Sequence, residues 1–362
     1  MPNVRRPAAF YTMLIHEIGE FGLIERLAVL VRDTEQLPAA GRVVLGVGDD
    51  ASVLELPPDR QLVATVDALV EDVHFRRPTT SPEDLGWKAL AVNVSDLGAM
   101  GARPLAALLT LALPPSGAVE WVERLYSGLA EAARRYRCAI AGGDTVRSPD
   151  RIAVTVTALG SVPSGRAIRR SGARAADLVC VTGVLGQSAA GLALLEAGQT
   201  PESAPEFGAL LRAHRRPEPP VEAGVALADA GLPTAMIDLS DGLVSDLEHI
   251  VRQSGVGARV VKERLPISLA TRQAAESLGV DPHTWVLHGG EDYGLLFTIP
   301  PDRFARVPPL LAPLGVVATI VGEMGGTDLL IEEEDGTAVA LVRAGFQHFA
   351  VGKAGIVHRP DG

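Results

Sequence analysis

Apolar residues recur at two spacings along this chain, and those spacings separate helices from strands. Phe21, Ile24, Leu27, Ala28 and Val31 keep a helical period and predict an amphipathic helix over about residues 19–33. Short strands are expected at Val43–Val47, Ser52–Leu56 and Gln61–Val66, the last delivering Asp67 at its end. Val43, Val44 and Leu45 carry a buried-strand signal into Gly46–Ala51. Ser81-Pro82-Glu83-Asp84 reads as a helix start, with Ser as cap, Pro in the first turn and an acid three residues after the cap. That helix should run through Trp87, Leu90 and Val94 towards Met100, with Asn93 and Asp96 on one face. Pro104–Leu113 is nearly all apolar and predicts a central strand buried on both faces. Glu120–Arg135 is a second amphipathic helix, Cys138–Ala141 a short strand ending in Gly142-Gly143-Asp144, and Ile152–Leu159 a half-buried strand.

Val162–Ala176 is rich in Gly, Ser, Pro and Arg, so the domain boundary is placed there. This gives a tail over residues 1–17, a domain over 18–162 and a second over 163–362. The second half predicts strands at Leu178–Thr182, Ala235–Ile237, Arg259–Val261, Gly294–Ile299, Ala318–Gly322, Leu329–Glu332 and Ala338–Val342. Helices are expected at Ser188–Leu195, Val221–Ala230, Leu243–Gln253 and Phe304–Leu314, with Asp246 and His249 on the surface or rim of the third. Both halves are mixed α and β, without the regular βαβ rhythm of a doubly wound sheet.

Composition narrows the class. With 362 residues, 47% of them apolar, the chain can build two sizeable cores, and at 4% aromatic those cores should be mostly Val, Leu, Ile and Ala. The formal charge of −11 argues against a nucleic-acid or anionic-membrane partner. It suits a cytoplasmic enzyme whose anionic substrates arrive with their own metal. No stretch reaches the apolar length of a membrane span. Cys138 and Cys180 both lie in apolar runs and read as two buried thiols.

The candidate chemistry is a set of aspartates in glycine-rich punctuation: Asp49 and Asp50 in GVGDDA, then Asp67, Asp96, Asp144 in GGD, and Asp238 and Asp241 in DLSDG. Any one of them is explained as well by a cap or a solvated turn. Held together in a cleft, they would need hard cations such as Mg²⁺, which take oxygen ligands and bridge phosphates. Arg166, Arg169, Arg170 and Arg174 are either a solvated basic loop or the source of a guanidinium over a transferred phosphate. Tyr126 reads as a helix-packing residue, and His74 and Phe346 are unremarkable alone. There is no GxxxxGK[ST], no kinase HRD or DFG, no HExxH and no GxSxG.

The segments GEFGLIERL, GVGDDASVL, TVDALVEDVHF, KALAVNVSDLGAMGARP, AIAGGDTVR, RSGARAADLVCVTG, IDLSDGLVSDL and HGGEDYGLLFT occur in that order, and together they resemble the thiamine-monophosphate kinases. The resemblance runs from Gly19 to about Phe349. It implies a two-domain α/β fold, α+β mixed, like that of aminoimidazole-ribonucleotide synthetase, with N-terminal domains pairing into a dimer β-barrel. It also implies a homodimer that uses ATP and several Mg²⁺ ions to convert thiamine phosphate to thiamine diphosphate by direct in-line transfer. Metal positions implied are Asp50, Thr65, Val66, Asp67, Asp96, Asp144, Asp238 and Asp241. Val66 offers only its carbonyl or a bridging water, where the family often has a second hydroxyl residue. ATP contacts implied are Tyr126, Gly143, Asp144, Arg170 and Ser240; on the thiamine phosphate side they are His74, Glu291 and Phe346. Catalytic weight falls on Asp50, Asp67, Asp96, Asp144, Arg170 and Asp238, leaving Asp49 to shape the turn or act from behind Asp50. Met1–Glu17 lies outside the family pattern.

Two alternatives stand beside this reading. One is another ATP-dependent synthetase of the same superfamily, although neither cysteine lies near the N-terminus, where selenophosphate synthetase needs a reactive one. The other is a non-catalytic nucleotide-binding protein, whose expected signature, loss of the acids, is absent.

Overall fold

The structure, a computed structural model, describes residues 12–38 and 40–341. In chain order its elements are α1 (Ile15–Val31), β1 (Arg42–Leu45), β2 (Val53–Glu55), β3 (Arg60–Val70), α2 (Pro82–Ala99), β4 (Arg103–Leu113), α3 (Val119–Tyr136), β5 (Ala139–Arg147) and β6 (Ala153–Pro163). There follow β7 (Leu178–Thr182), α4 (Gln187–Glu196), α5 (Gly208–Arg215), α6 (Val221–Asp229), β8 (Ala235–Asp238), α7 (Leu243–Ser254), β9 (Ala258–Val261), α8 (Leu269–Leu278) and α9 (Pro282–His288). The chain closes with β10 (Leu295–Ile299), α10 (Val307–Leu311), β11 (Ala318–Met324), β12 (Leu329–Glu332) and β13 (Ala338–Ala340). Contacts divide these elements into two compact units. One takes the described residues up to Pro57 with Ala64–Asn93 and Pro104–Leu159; the other takes Pro58–Val63, Val94–Arg103 and the described residues from Gly160 onward.

The first unit centres on a four-stranded sheet in the order β3-β6-β4-β5. β4 is interior and mostly buried, as its apolar run predicts, with Thr110 exposed. α2 begins as its sequence dictates: the Ser81 hydroxyl accepts the Asp84 N–H at 3.1 Å. Three expectations change here. β1 and β2 form a separate two-stranded ribbon in which Val43 and Leu54 pack inward, while Val44, Leu45 and Val53 are exposed. Val44 faces away from the core, and the pairing shifts register between Val43 and Leu45, so Leu45 does not follow Val43 onto the core face. β3 continues to Val70, which places Asp67 inside a strand rather than at its end. β5 likewise runs through Gly142-Gly143-Asp144 to Arg147, because parallel pairing with β4 sets Leu109 opposite Gly143 and Thr110 opposite Asp144. Ladder bonds there outweigh the poor strand propensity of glycine and aspartate. In α1, Leu23, Leu27 and Val31 form the buried stripe, and Phe21 is exposed.

The second unit holds a seven-stranded sheet, β13-β12-β9-β11-β7-β10-β8. Its pairings are antiparallel except for β9 with β12. Alternation along β7 sends Val179 and Val181 into one core with Leu243, Leu247 and Ile250 of α7, and Cys180 into another with Leu227 of α6 and Val307 and Leu311 of α10. The sheet is therefore a middle layer between helices. Both cysteines are free and buried, and burial pushes each thiol up to about 12.

Helices α5, α8 and α9 are additions to the predicted set. Two carry start signals in the sequence. Ser268 accepts the Thr271 N–H at 3.0 Å at the head of α8, and Asp281 accepts the His283 N–H at 2.9 Å just before Pro282 opens α9. Asp246 corrects the rim placement: it is 1% exposed on the inner face of α7, whereas His249 is half-buried. Val342 and Phe346 lie outside the described residues.

Candidate functional site

In the first unit, Asp49 and Asp50 occupy an exposed turn after β1. Their roles differ structurally: Asp49 Oδ1 accepts the Asp50 backbone N–H at 2.9 Å, which ties one acid to holding the turn and leaves the carboxylate of the other outside that bond. Downstream, the Ser52 hydroxyl donates to the Ala141 carbonyl at 3.0 Å. The Asp50 loop is thus tied to the strand that carries Gly143 and Asp144. Gly143 is required by packing: a Cβ there would sit 2.2 Å from the Leu109 carbonyl oxygen. On β3, Thr65 and Asp67 share the half-buried side, while the Val66 side chain points the other way and is 59% exposed. His74 sits in the turn after β3, where its Nδ1 accepts the Val70 N–H at 3.0 Å, so the neutral ring carries its proton on Nε2. Tyr126 is buried in α3, and burial pushes its hydroxyl up to about 12.

In the second unit, β8 ends at Asp238, which is 3% exposed and accepts a hydrogen bond from the Ser95 hydroxyl of α2 at 2.8 Å. Asp96, the next residue, is half-buried. The loop turns at Gly242 into α7, and Asp246 reaches back from the first turn to accept the Asp241 N–H at 3.1 Å. Burial pushes the Asp246 carboxyl well above the usual carboxylate range; the charges of Asp238 and Asp241 add to this and Arg170 opposes it. Arg170, Asp238, Asp241 and Asp246 therefore share one electrostatic neighbourhood. Its donors are all hard oxygens and it is short of positive charge, which fits Mg²⁺. Among the described residues, no three His, Cys, Asp or Glu side chains form a metal-holding group alone. Mg²⁺ bound by one or two carboxylates, with waters and substrate phosphates completing its shell, needs no such cage.

The Gly289–Gly294 loop is built onto this one. The Glu291 N–H donates to the Ser240 carbonyl, the Tyr293 N–H to the Leu239 carbonyl, and the Leu239 N–H to the Gly294 carbonyl, each at 2.8 Å. Glu291 and Tyr293 hold left-handed backbones, φ 66° and 50°. Such conformations in residues other than glycine cost about 1–3 kcal/mol each and gather at functional sites. Beside them, a cleft of about 590 Å³ is lined by Glu291, Asp292, Ser188, Gln187, Arg212 and Arg216 among others. Asp292 faces the head of α4, accepting N–H bonds from Gly186 at 2.6 Å and Ser188 at 3.2 Å. Burial pushes its carboxyl up to about 7 against the pull of those bonds. Ser95 carries no signal of its own in the sequence, Asp292 stands there only as the end of the Gly289–Asp292 motif, and Asp246 is expected only on a helix surface or rim. An acid in the first turn after DLSDG was the available signal for Asp246.

Two family models match the chain: the AIR synthase related protein N-terminal domain over residues 48–162, and the AIR synthase related protein C-terminal domain over residues 174–332. The thiamine-monophosphate kinase of Escherichia coli (strain K12) is 42% identical over 337 residues, covering 92% of this chain and 98% of that protein. This chain belongs to the thiamine-monophosphate kinase family. As a member it is an enzyme, a kinase, and its mixed α/β fold is the family's. A crystal structure of the thiamine-monophosphate kinase from Stenotrophomonas maltophilia K279a matches with a TM-score of 0.77 at 36% identity, covering 91% of this chain and 99% of that one. A structure described as AaThiL complexed with AMPPCP and TMP matches with a TM-score of 0.72 at 34% identity, covering 94% of this chain and all 100% of that one. Among the described residues, no helix is long and apolar enough to cross a membrane.

Proposed function

We propose that this kinase transfers the terminal phosphoryl group of ATP to the phosphate of thiamine phosphate, giving thiamine diphosphate and ADP. The observation that carries this reading is 42% identity to a thiamine-monophosphate kinase over nearly the whole of both chains. The match to a relative complexed with AMPPCP and TMP supports the same pair of substrates. The transfer is direct and in line. The acceptor oxygen belongs to a phosphate that is already ionised, so no strong general base is needed, and the protein's work is positioning and charge neutralisation.

In the first unit, Asp50, Asp67 and Asp144 hold Mg²⁺, with the Thr65 hydroxyl and the Val66 carbonyl as further oxygen donors. Tyr126, Gly143 and Asp144 contact the nucleotide there, and His74 contacts thiamine phosphate. In the second unit, Asp96, Asp238 and Asp241 hold Mg²⁺, Ser240 and Arg170 contact ATP, and Glu291 contacts thiamine phosphate. Phe346 belongs to the acceptor side as well. Several bound Mg²⁺ ions supply neutralisation of phosphate charge. The division into 18–162 and 163–362, with 1–17 as a tail, is the domain organisation we assign, and the enzyme is placed in the cytoplasm.

The working form is a homodimer whose N-terminal domains pair into a β-barrel through β3. Supporting this, β3 is an edge strand of its sheet, and Leu62, Ala64, Val66 and Ala68 alternate along it as an exposed apolar face. The test of function is direct. Purified protein with ATP, Mg²⁺ and thiamine phosphate is expected to form thiamine diphosphate, read by chromatography. No product from protein that binds ATP overturns the proposal.

A further inference from the structure

His214 is 7% exposed near the end of α5, behind the cleft that Glu291 lines. Its Nδ1 lies 3.1 Å from Glu291 Oε2 and 3.1 Å from the Ser188 hydroxyl. The helices are packed to make this approach possible. A Cβ at Gly191 of α4 would fall 2.1 Å from the Leu210 carbonyl oxygen and 3.1 Å from His214 Cβ, so α5 lies directly on the α4 backbone. Ser188 is 1% exposed, and its N–H is held by Asp292, the residue after Glu291. The imidazole is therefore fixed on the helix side by elements that do not depend on a ligand.

Glu291 differs. Its backbone is anchored in a left-handed conformation by the bond to Ser240, but its side chain has three rotatable bonds and ends at the cleft. A carboxylate at such a position repels the phosphate of thiamine phosphate and attracts its cationic, N–H-bearing heteroaromatic end. That preference has value only if the carboxylate is held in one place, because ordering a free glutamate costs binding energy.

We infer that His214 is a positioning residue for the acceptor substrate: it holds the Glu291 carboxylate in the orientation that receives the organic end of thiamine phosphate. This rests on the proposed function and adds a residue outside the acid set. His214 is not itself a cleft-lining residue, and its effect passes through Glu291.

The experiment measures kcat and both KM values for wild type, His214→Leu and His214→Asn, with each variant's thermal unfolding recorded. Asn places an amide donor near the position of Nδ1, so it serves as the conservative variant. Loss of a hydrogen bond to a charged group predicts that His214→Leu raises KM for thiamine phosphate about tenfold. KM for ATP and kcat should stay within about twofold, and His214→Asn should restore most of the loss. The double variant His214→Leu/Glu291→Ala should show no additional rise over Glu291→Ala alone. An unchanged KM for thiamine phosphate in folded His214→Leu overturns the inference, as does an equal rise in both KM values. Should His214→Leu not fold, His214→Ala measured with and without the Glu291→Ala substitution decides: identical effects in both remove the coupling and overturn the inference. If wild type makes no thiamine diphosphate, the function itself falls; if wild type is active and only the His214 pattern fails, the function stands and this inference alone is lost.

Discussion

The backbone N–H of Glu291 donates to the carbonyl of Ser240 at 2.8 Å, so the loop bearing Glu291 is laid directly on the loop bearing Asp238 and Asp241. Two distant motifs, DLSDG and HGGED, meet through backbone bonds. Their relative placement therefore depends on the residues whose backbones lie against each other at this contact.

Gly290 is the tightest of these. A Cβ there would lie 2.3 Å from the Ser240 carbonyl oxygen. Gly290→Ala must push the two loops apart, with an expected stability loss of about 1–3 kcal/mol. Misplacement of the groups on both loops should also lower kcat/KM by about tenfold or more. Thermal unfolding and steady-state kinetics check both, and wild-type values in both would show that the loops tolerate separation.

Asp49 and Asp50 should separate under substitution. Asp49→Asn retains an oxygen to accept the Asp50 N–H, so its turnover should remain within about threefold of wild type. Asp50→Asn removes a proposed metal ligand and should cost at least about a hundredfold in turnover, partly recovered at high Mg²⁺. Mg²⁺ titrations of activity make the comparison; equal effects from the two substitutions would contradict the division of roles.

The apolar outer side of β3 predicts association. Leu62 is 53% exposed there, and Leu62→Asp places a charge on that face without disturbing a buried contact. Sedimentation velocity is expected to show a dimer for wild type and a monomer for the variant, with unchanged circular dichroism. A wild-type monomer at micromolar concentration would rule out pairing through this strand.

Glu71 gives a pH dependence with a definite sign. Burial raises its carboxyl, but the Arg77 guanidinium and the Ile152 N–H at 2.9 Å outweigh that, holding it below the usual value of 4.5. A lowered folded-state pKa means that the unfolded chain binds the proton first as pH falls. The stabilisation is full above about 4.5 and is lost as pH drops through the folded-state value. Glu71→Gln should cost about 1–3 kcal/mol at pH 7, and the gap from wild type should shrink below pH 4.5 in urea unfolding. A gap that stays constant with pH would mean that the carboxylate charge contributes nothing.

Local signals in the sequence identified most elements with a marked period or punctuation. α2 starts at Ser81-Pro82 as read, β7 spans Leu178–Thr182 as read, and the buried run Pro104–Leu113 is an interior strand. The cap, the apolar period and the apolar run are short-range causes, so they are legible without neighbours. The segments misjudged are those whose state is set by a partner strand. β5 carries Gly142-Gly143-Asp144 because β4 pairs with it, Val44 is exposed because it faces away from the core, and Leu45 is exposed because the pairing with β2 shifts register after Val43.

The same division applies to the chemistry. The sequence by itself determined the family and the kinase activity, since motif order and residue type are properties of the chain. Tertiary structure alone decided that Asp246 is buried against the Asp238–Asp241 loop, that Ser95 bonds Asp238, and that His214 reaches Glu291. Each of these is a contact between residues on different elements. Its energy depends on burial and distance, and neither quantity exists until the chain has packed.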